Sequence, residues 1–377
     1  MLAKDKVKIA IIGCGGIAFQ KHLPALSKLT SKVELAVFCD TVQERAEKAS
    51  KEFGDENAQV YTDYKELLKD GSIGVVHVCT PNISHSMITV NALEAGKHVM
   101  CEKPMAISSE EAKKMLDAAK RTGKKLSIGY QNRFRNDSLT LHQACDAGDL
   151  GEIYFAKAHA IRRRGVPTWG VFMDKEKQGG GPLIDIGTHA LDLALWMMNN
   201  YKPALVVGST FQKLKDKPEG NIFGPWNPKE YQVEDSAFGY IKMENGATIM
   251  LESSWALNMI RGKEAQVTLC GTEAGAEMFG EAWDNKGYIT FNTTKYNQMM
   301  EAETSAGPSV AYFEGQEVDA GYLEAKQWID AILEDKEPLV KPEEAYVVTR
   351  ILEAIYQSSE TGKAIELGQR NLLSYPM

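Results

Sequence analysis

The chain is short of several features that would point to other kinds of protein. Its six cysteines, Cys14, Cys39, Cys79, Cys101, Cys145 and Cys270, are scattered through 377 residues with no CxxC pair. That spacing argues against a disulfide framework or a zinc motif and suits a reducing compartment. No stretch approaches the roughly 20 apolar residues needed to cross a bilayer. The opening MLAKDKVKIAIIGCG carries too short an apolar run for a secretory signal, and Gly13 to Gly16 stand where a cleavage site would fall. A cytoplasmic location and no membrane partner are expected. Positive charge is in deficit, 43 Lys and Arg against 51 Asp and Glu, for a net charge of −8. That balance disfavours nucleic acid as a partner. No internal repeat or low-complexity tract is present.

What remains is an ordinary globular composition, 44% hydrophobic and 25% charged, in a chain long enough for two domains. The first 130 residues alternate. VKIAIIG, VELAVFCD, VVHVCTP, KHVMCEKP and KLSIGY are short apolar runs that read as buried strands. Between them, TVQERAEKASKEFG, SHSMITVNALEAG and SSEEAKKMLDAAKRTG read as helices, two opening on Ser caps and all ending on Gly. This predicts an α/β fold beginning with a doubly wound parallel sheet. After about residue 150 the strand-like runs follow one another, with ENG at 244–246 as a hairpin turn. They predict a second, α+β domain with a large, mostly antiparallel open sheet. Helices are expected at 185–198, at 322–335 and from Pro342 to Gly362. The division read from the sequence is 1–130 for a Rossmann domain and 131–377 for substrate binding and oligomerisation.

Gly13, Cys14, Gly15, Gly16, Ile17 and Ala18 fit G-x-G-x-x-G/A between a strand and a helix. Gly13 permits the tight turn, Gly15 lets a pyrophosphate approach the backbone, and Ala18 permits close helix–strand packing. Asp40 ends the second strand, where it would accept the ribose hydroxyls and repel a 2′-phosphate. NAD is therefore expected as cofactor, NADP less so, although Arg45 lies one turn further on. In the stretch GGGPLIDIGTHALDLALWMM, 179–198, Asp185, His189 and Asp192 fall at i, i+4 and i+7 on one helix face. Asp185 and His189 have the spacing of metal ligands, but no third ligand is evident and no metal is expected.

GCGGIA, CTPNISH at 79–85, CEKPMA at 101–106, GGGPLIDIGTHALDL and VEDSAFGYIKMENGA at 233–247 together resemble the Gfo/Idh/MocA family of sugar and cyclitol oxidoreductases. The resemblance runs through nearly the whole chain in the right order. It implies a Rossmann domain followed by an α/β domain whose open sheet commonly forms an oligomer interface, hence a homo-oligomer. It implies Lys103, Asp185 and His189 as the catalytic group. Thr80, Pro81, Asn82 and His85 would line the cofactor, with Glu102 near the nicotinamide. Arg164 and Trp169, in RRRGVPTWG, would contact nicotinamide or substrate as the corresponding loop often does; the other reading is a solvated basic loop with an anchoring Trp. Gln131 and Asn132, at the end of the last Rossmann strand, are candidates for the cofactor and the substrate respectively.

The chemistry suits these residue types. Oxidising a secondary alcohol removes a hydride from carbon and a proton from oxygen, and a histidine titrating near neutrality is the apt base. A lysine beside the developing alkoxide stabilises it. Asp185 would accept a second hydroxyl of a vicinal diol and keep His189 placed. Gly179 to Gly181 would let the chain pass close to substrate. The expectation is NAD-dependent oxidation of a sugar, glycoside or cyclitol, most sharply at C3 of a glucosyl ring. Phe223 and Trp226, in the Gly/Pro-rich 215–232 loop, would hold an aglycone or serve as an oligomer contact. Three alternatives stand beside it: a myo-inositol dehydrogenase, a redox-neutral NAD-dependent glycosidase, and a dinucleotide-sensing regulator without catalysis. His22, His77, His98, His142 and His159 are assigned no role.

Overall fold

A computed structural model describes residues 6–280, 287–304 and 319–368. Among these the longer helices are α1 (Gln43–Phe53), α2 (His85–Glu94), α3 (Ser109–Thr122), α4 (Asn136–Asp146), α5 (Thr188–Met198), α6 (Ala320–Leu333) and α7 (Pro342–Thr361). The chain forms two compact units. One draws on Met1–Leu139, Asp174–Gly179 and Gly307–Thr349; the other on Thr140–Met173, Gly180–Ala306 and Arg350–Met377.

The first unit holds a six-stranded parallel sheet of β1 (Val7–Ile12), β2 (Val33–Cys39), β3 (Gln59–Tyr61), β4 (Val75–Val78), β5 (His98–Cys101) and β6 (Leu126–Ile128). Its order, β3-β2-β1-β4-β5-β6, is that of a doubly wound dinucleotide-binding sheet. The strands are buried because helices cover both faces, which is why they read as unbroken apolar runs. Of the two serines expected as caps, Ser108 accepts from the Glu111 N–H, while Ser84 instead donates to Thr80 Oγ1 and the Pro81 carbonyl. Gly123 closes α3 in the left-handed region, φ 64°. The sequence placed a single boundary at residue 130, but α6 belongs to the first unit. Its Ala325, Trp328 and Ile329 join Ile9, Ile11, Leu23, Phe38 and Val75 in one hydrophobic core.

The second unit is built on nine strands: β7 (Ile153–Ile161), β8 (Pro203–Phe211), β9 (Ser236–Met243), β10 (Thr248–Ser254), β11 (Lys263–Gly271), β12 (Ala274–Phe279), β13 (Tyr288–Lys295), β14 (Gln298–Glu303) and β15 (Ile365–Glu366). Their order is β14-β13-β12-β11-β7-β10-β9-β8-β15. Only the β7–β10 pair is parallel among the described pairings. The expected hairpin joins β9 to β10, with Gly246 at φ 91° and Asn245 Oδ1 accepting from Ala247 N–H. Helix α5 packs on β7 and β11. Ile355 of α7 lies against Gly208 and Gly239, where any Cβ would stand 2.6 Å from it. The helix expected at 185–198 starts earlier and is wound in two ways, a π-turn over Leu183–Gly187 and then α5. It ends on Asn199 in the left-handed region.

Candidate active site

In the first unit, the loop after β1 has the geometry a dinucleotide phosphate needs. Gly13 sits at φ 93°, and a Cβ there would lie 2.6 Å from the Cys79 carbonyl oxygen. Around Gly15 and Gly16 an added Cβ would meet nothing within 4 Å, so that backbone is bare to a ligand. Ile17 and Ala18 follow in the opening turn of the next helical segment, and Ala18 is buried. Asp40 Oδ2 accepts from Cys14 N–H at 2.8 Å and Oδ1 from Val42 N–H at 2.9 Å, which fixes the loop to the end of β2. Gly-rich turn, helix opening and acidic residue thus stand together as an NAD-binding Rossmann fold requires.

Two further loops, at the C-terminal ends of β4 and β5, are tied together by His85. Fully buried, its Nδ1 lies 2.8 Å from the Pro104 carbonyl oxygen and its Nε2 2.9 Å from that of Thr80, and the neutral ring donates to one of the two. Burial lowers its pKa, and the two carbonyls and Glu102 offset this only in part. Read from sequence as a residue lining the cofactor, His85 is placed behind the loops, holding Thr80 and Pro104 in register. Pro81 is exposed, and Asn82 donates through Nδ2 to the Gln178 carbonyl at 3.0 Å. Lys103 is partly exposed, and its N–H donates to Glu102 Oε2 at 3.2 Å. The Lys103–Pro104 peptide is cis. Glu102 is buried, with Lys21 and His22 on Oε1. Burial by itself would raise Glu102, but Lys21 and His22 outweigh it and hold the carboxyl well below the usual range. Gln131 and Asn132 are half-buried in a short 3₁₀ turn, Gln131–Phe134.

In the second unit, Asp185 and His189 are 9% and 8% exposed on the π-turn and α5; Asp192, the third polar group of that face, is buried at 1%. Asp185 Oδ2 accepts from the Trp255 indole N–H at 2.9 Å. The Arg162 guanidinium, gripped by both oxygens of Glu264 at 2.6 Å, is kept charged against its burial by Glu264 and by Asp185. From Trp255 an edge-to-face series runs outward: Trp255 to Phe172 at 6.3 Å, Phe172 to Trp169 at 5.8 Å, Trp169 to Phe223 at 4.8 Å. Trp169 is 52% exposed, so the series ends at solvent. Arg164 donates to Asn258 Oδ1 at 2.8 Å and to the Arg163 carbonyl.

The triple glycine has a different cause from the one expected. Gly179 closes the Lys175–Gln178 turn at φ 83°. A Cβ on Gly180 would lie 2.0 Å from the Tyr356 hydroxyl, and one on Gly181 2.3 Å from the Glu234 carbonyl oxygen. Glu234 Oε2 accepts from Gly181 N–H at 2.9 Å, and Oε1 from Leu183 N–H at 3.2 Å and the Tyr356 hydroxyl at 2.8 Å. Gly180 and Gly181 are therefore small to admit the clamp that sets the start of the π-turn. Trp226, expected to face an aglycone, is buried instead, and its N–H donates to the Lys215 carbonyl at 2.7 Å. Phe223 is the ring of that loop that meets Trp169.

Sequence reasoning missed Glu234, Tyr356, Trp255 and the Lys21–His22–His77–Glu324 cluster. Only Glu234, within the VED stretch, stood in a motif already singled out. No group of three or more His, Cys, Asp or Glu side chains among the described residues is arranged to hold a metal.

Comparison with known proteins divides the chain between residues 130 and 143. A family model described as an oxidoreductase family with an NAD-binding Rossmann fold matches residues 7–130, and one for the C-terminal alpha/beta domain of that oxidoreductase family matches 143–367. The chain is 36% identical over 366 residues to a D-glucoside 3-dehydrogenase of Escherichia coli, covering 97% of this chain and 99% of the relative. It is 24% identical over 366 residues, 97% of each chain, to a scyllo-inositol 2-dehydrogenase (NAD(+)) of Bacillus subtilis. Among solved structures, levoglucosan dehydrogenase in complex with NADH shares the fold at a TM-score of 0.81 and 22% identity, covering 97% of this chain and all of that one.

Proposed function

Because the chain belongs to the Gfo/Idh/MocA oxidoreductase family and is a sugar, glycoside or cyclitol oxidoreductase, we propose that it oxidises C3 of a glucosyl ring, in a sugar or glycoside, with NAD as oxidant. The full-length likeness to the Escherichia coli D-glucoside 3-dehydrogenase carries this reading. Gly13, Cys14, Gly15, Gly16 and Ile17 would hold the pyrophosphate on bare backbone and the helix opening. Asp40 keeps unused lone pairs for the ribose hydroxyls, which favours NAD over NADP. Thr80, Pro81, Asn82, Glu102 and Gln131 would line the nicotinamide end, with His85 bracing from behind. When bound, the nicotinamide supplies the hydride acceptor.

His189 takes the proton from the reacting hydroxyl, a step that typically contributes about 10²–10⁴-fold. The Lys103 ammonium stabilises the oxygen as it becomes an alkoxide. Asp185, aimed by Trp255, accepts the neighbouring hydroxyl and selects a diol, and Asn132 would add a polar contact to the sugar. The second unit thus carries the sugar-binding role, and Trp169, Phe223 and Arg164 offer an aromatic and polar rim beyond the glucosyl ring. A homo-oligomer through the nine-stranded sheet is part of the same reading. Val207, Tyr240 and Met250 stand exposed side by side on β8, β9 and β10.

The test is to incubate purified protein with NAD and simple O- and C-glucosides, glucose or myo-inositol, follow NADH, and locate any ketone by NMR. A C3 ketone with NADH is the expected result. NADH from myo-inositol alone would make it an inositol dehydrogenase. Sugar release without NADH would make it a redox-neutral glycosidase, and bound NAD without turnover a sensor.

A further inference from the structure

Behind the Glu102–Lys103 step lies a cluster of ionisable groups, of which Lys21, His22, His77 and Glu324 have no part in the steps above. The Lys21 ammonium stands between two carboxylates, touching Glu102 Oε1 and lying 3.0 Å from Glu324 Oε2 of α6. Glu102 Oε1 also meets His22 Nε2 at 2.7 Å, and His22 Nδ1 meets His77 Nδ1 at 2.9 Å. Glu102, Glu324, His22 and His77 are each no more than 4% exposed. Two glycines keep the space clear. A Cβ on Gly129 would lie 3.0 Å from Glu102 Oε1 and 3.1 Å from Lys21 Nζ, and one on Gly321 3.1 Å from Lys21 Cγ.

One ammonium cannot neutralise two buried carboxylates, so one of the two must be prone to hold a proton. The surroundings choose between them. Glu102 has Lys21, His22 and the Lys103 N–H. Glu324 has Lys21, and its Oε1 meets no hydrogen-bond donor. Burial drives Glu324 up to about 7, with Lys21 pulling it down and Glu102 and Asp319 pushing it up. Burial and Lys21 lower His22, and burial, His22 and Lys21 put His77 well below its ordinary value, so both imidazoles are neutral near pH 7. A tautomer follows from the contacts: His22 Nε2–H donates to Glu102, His77 Nδ1–H donates to His22 Nδ1, and His77 Nε2 keeps a bare lone pair, in keeping with its lack of a partner. Glu102 also acts on the Cys79 and Cys101 thiols, which burial and Glu102 hold protonated.

We propose that Glu324 is a positioning residue for the cofactor end of the site: its proton decides whether Lys21 serves Glu102 alone or is shared, and so whether the cluster behind Glu102 and Lys103 is neutral or carries one negative charge. This rests on the reading that a nicotinamide cofactor binds at Glu102 and Lys103. An ionised cluster favours the cationic ring of NAD over the neutral ring of NADH.

The experiment compares NAD and NADH dissociation constants, from NADH fluorescence and its competition by NAD, between about pH 6 and about pH 8, around the midpoint of a carboxyl displaced to neutrality. In the wild type the preference for NAD over NADH should rise several-fold with pH. Glu324→Gln should stay at the acid-side value throughout, while Glu324→Asp should keep an inflection. A wild-type pH dependence surviving in Glu324→Gln, or none in the wild type, would overturn the proposal. Should Glu324→Gln fail to fold, carbon-13 NMR of the cofactor-free wild type and of Glu324→Asp decides: a glutamate carboxyl that titrates near neutrality and is missing from Glu324→Asp is expected, and no such signal overturns it. No binding of either cofactor at any pH would instead sink the reading beneath it, and the NMR titration separates the two failures.

Discussion

Asp40 serves two structural bonds and one proposed recognition. Its oxygens hold the Cys14 and Val42 N–H groups, so a change that removes the side chain would disturb the loop as well as the ribose contact. Asp40→Asn keeps an acceptor and removes the charge. It is expected to raise the NADP-to-NAD ratio of kcat/KM by about tenfold, roughly the 1.4 kcal/mol of one modest charge repulsion, and steady-state kinetics with the two cofactors would check it. An unchanged ratio would remove Asp40 from the discrimination. At this scale the sequence was informative where a residue sits in a motif. Gly13, Asp40, Glu102 and Lys103 were all singled out that way. It was silent on Glu324 and Tyr356, which reach their partners across long stretches of chain; Glu324 lies 303 positions from Lys21 and Tyr356 122 from Glu234. No local pattern marks such a carboxylate, because what makes it special is the tertiary partner.

Among the elements, the segment from Gly180 to Met198 is tightly specified at its start. Tyr356 and Glu234 occupy the space that side chains at 180 and 181 would need. Gly180→Ala therefore forces the Tyr356 ring or the loop to move, and is expected to destabilise the fold by about 1–3 kcal/mol, read as a lower midpoint in urea unfolding. Tyr356→Phe in the same chain should relieve part of the clash, so a double variant no more stable than Gly180→Ala alone would argue against this cause. The sequence pattern located this helix and its acidic and histidine residues but not its π-turn. A π-turn inserts one residue per turn at a place set by packing, and the apolar pattern of LIDIGTHALDL reads equally well as plain α-helix. A doubly wound parallel sheet was legible, since alternating strands and helices admit few topologies. The parallel β7–β10 pair within a mainly antiparallel sheet was not, because β7 and β10 are joined only through β8 and β9.

For the molecule as a whole, the exposed row Val207, Tyr240 and Met250 makes the nine-stranded sheet the candidate surface for self-association. Tyr240→Glu with Met250→Glu is expected to shift the protein to a lower oligomeric state in light scattering, with cofactor binding retained. A mass unchanged from wild type would move the interface elsewhere.

The place of α6 in the first unit has a consequence for how the protein comes to exist. A ribosome delivers β1 to β6 early, yet Ala325, Trp328 and Ile329 emerge some three hundred residues after β1, and they belong to the same core. The Rossmann unit is thus born with part of its interior uncovered and cannot finish folding until α6 has been synthesised. Its maturation waits on the synthesis of α6, and a nascent chain halted before α6 leaves that apolar surface exposed.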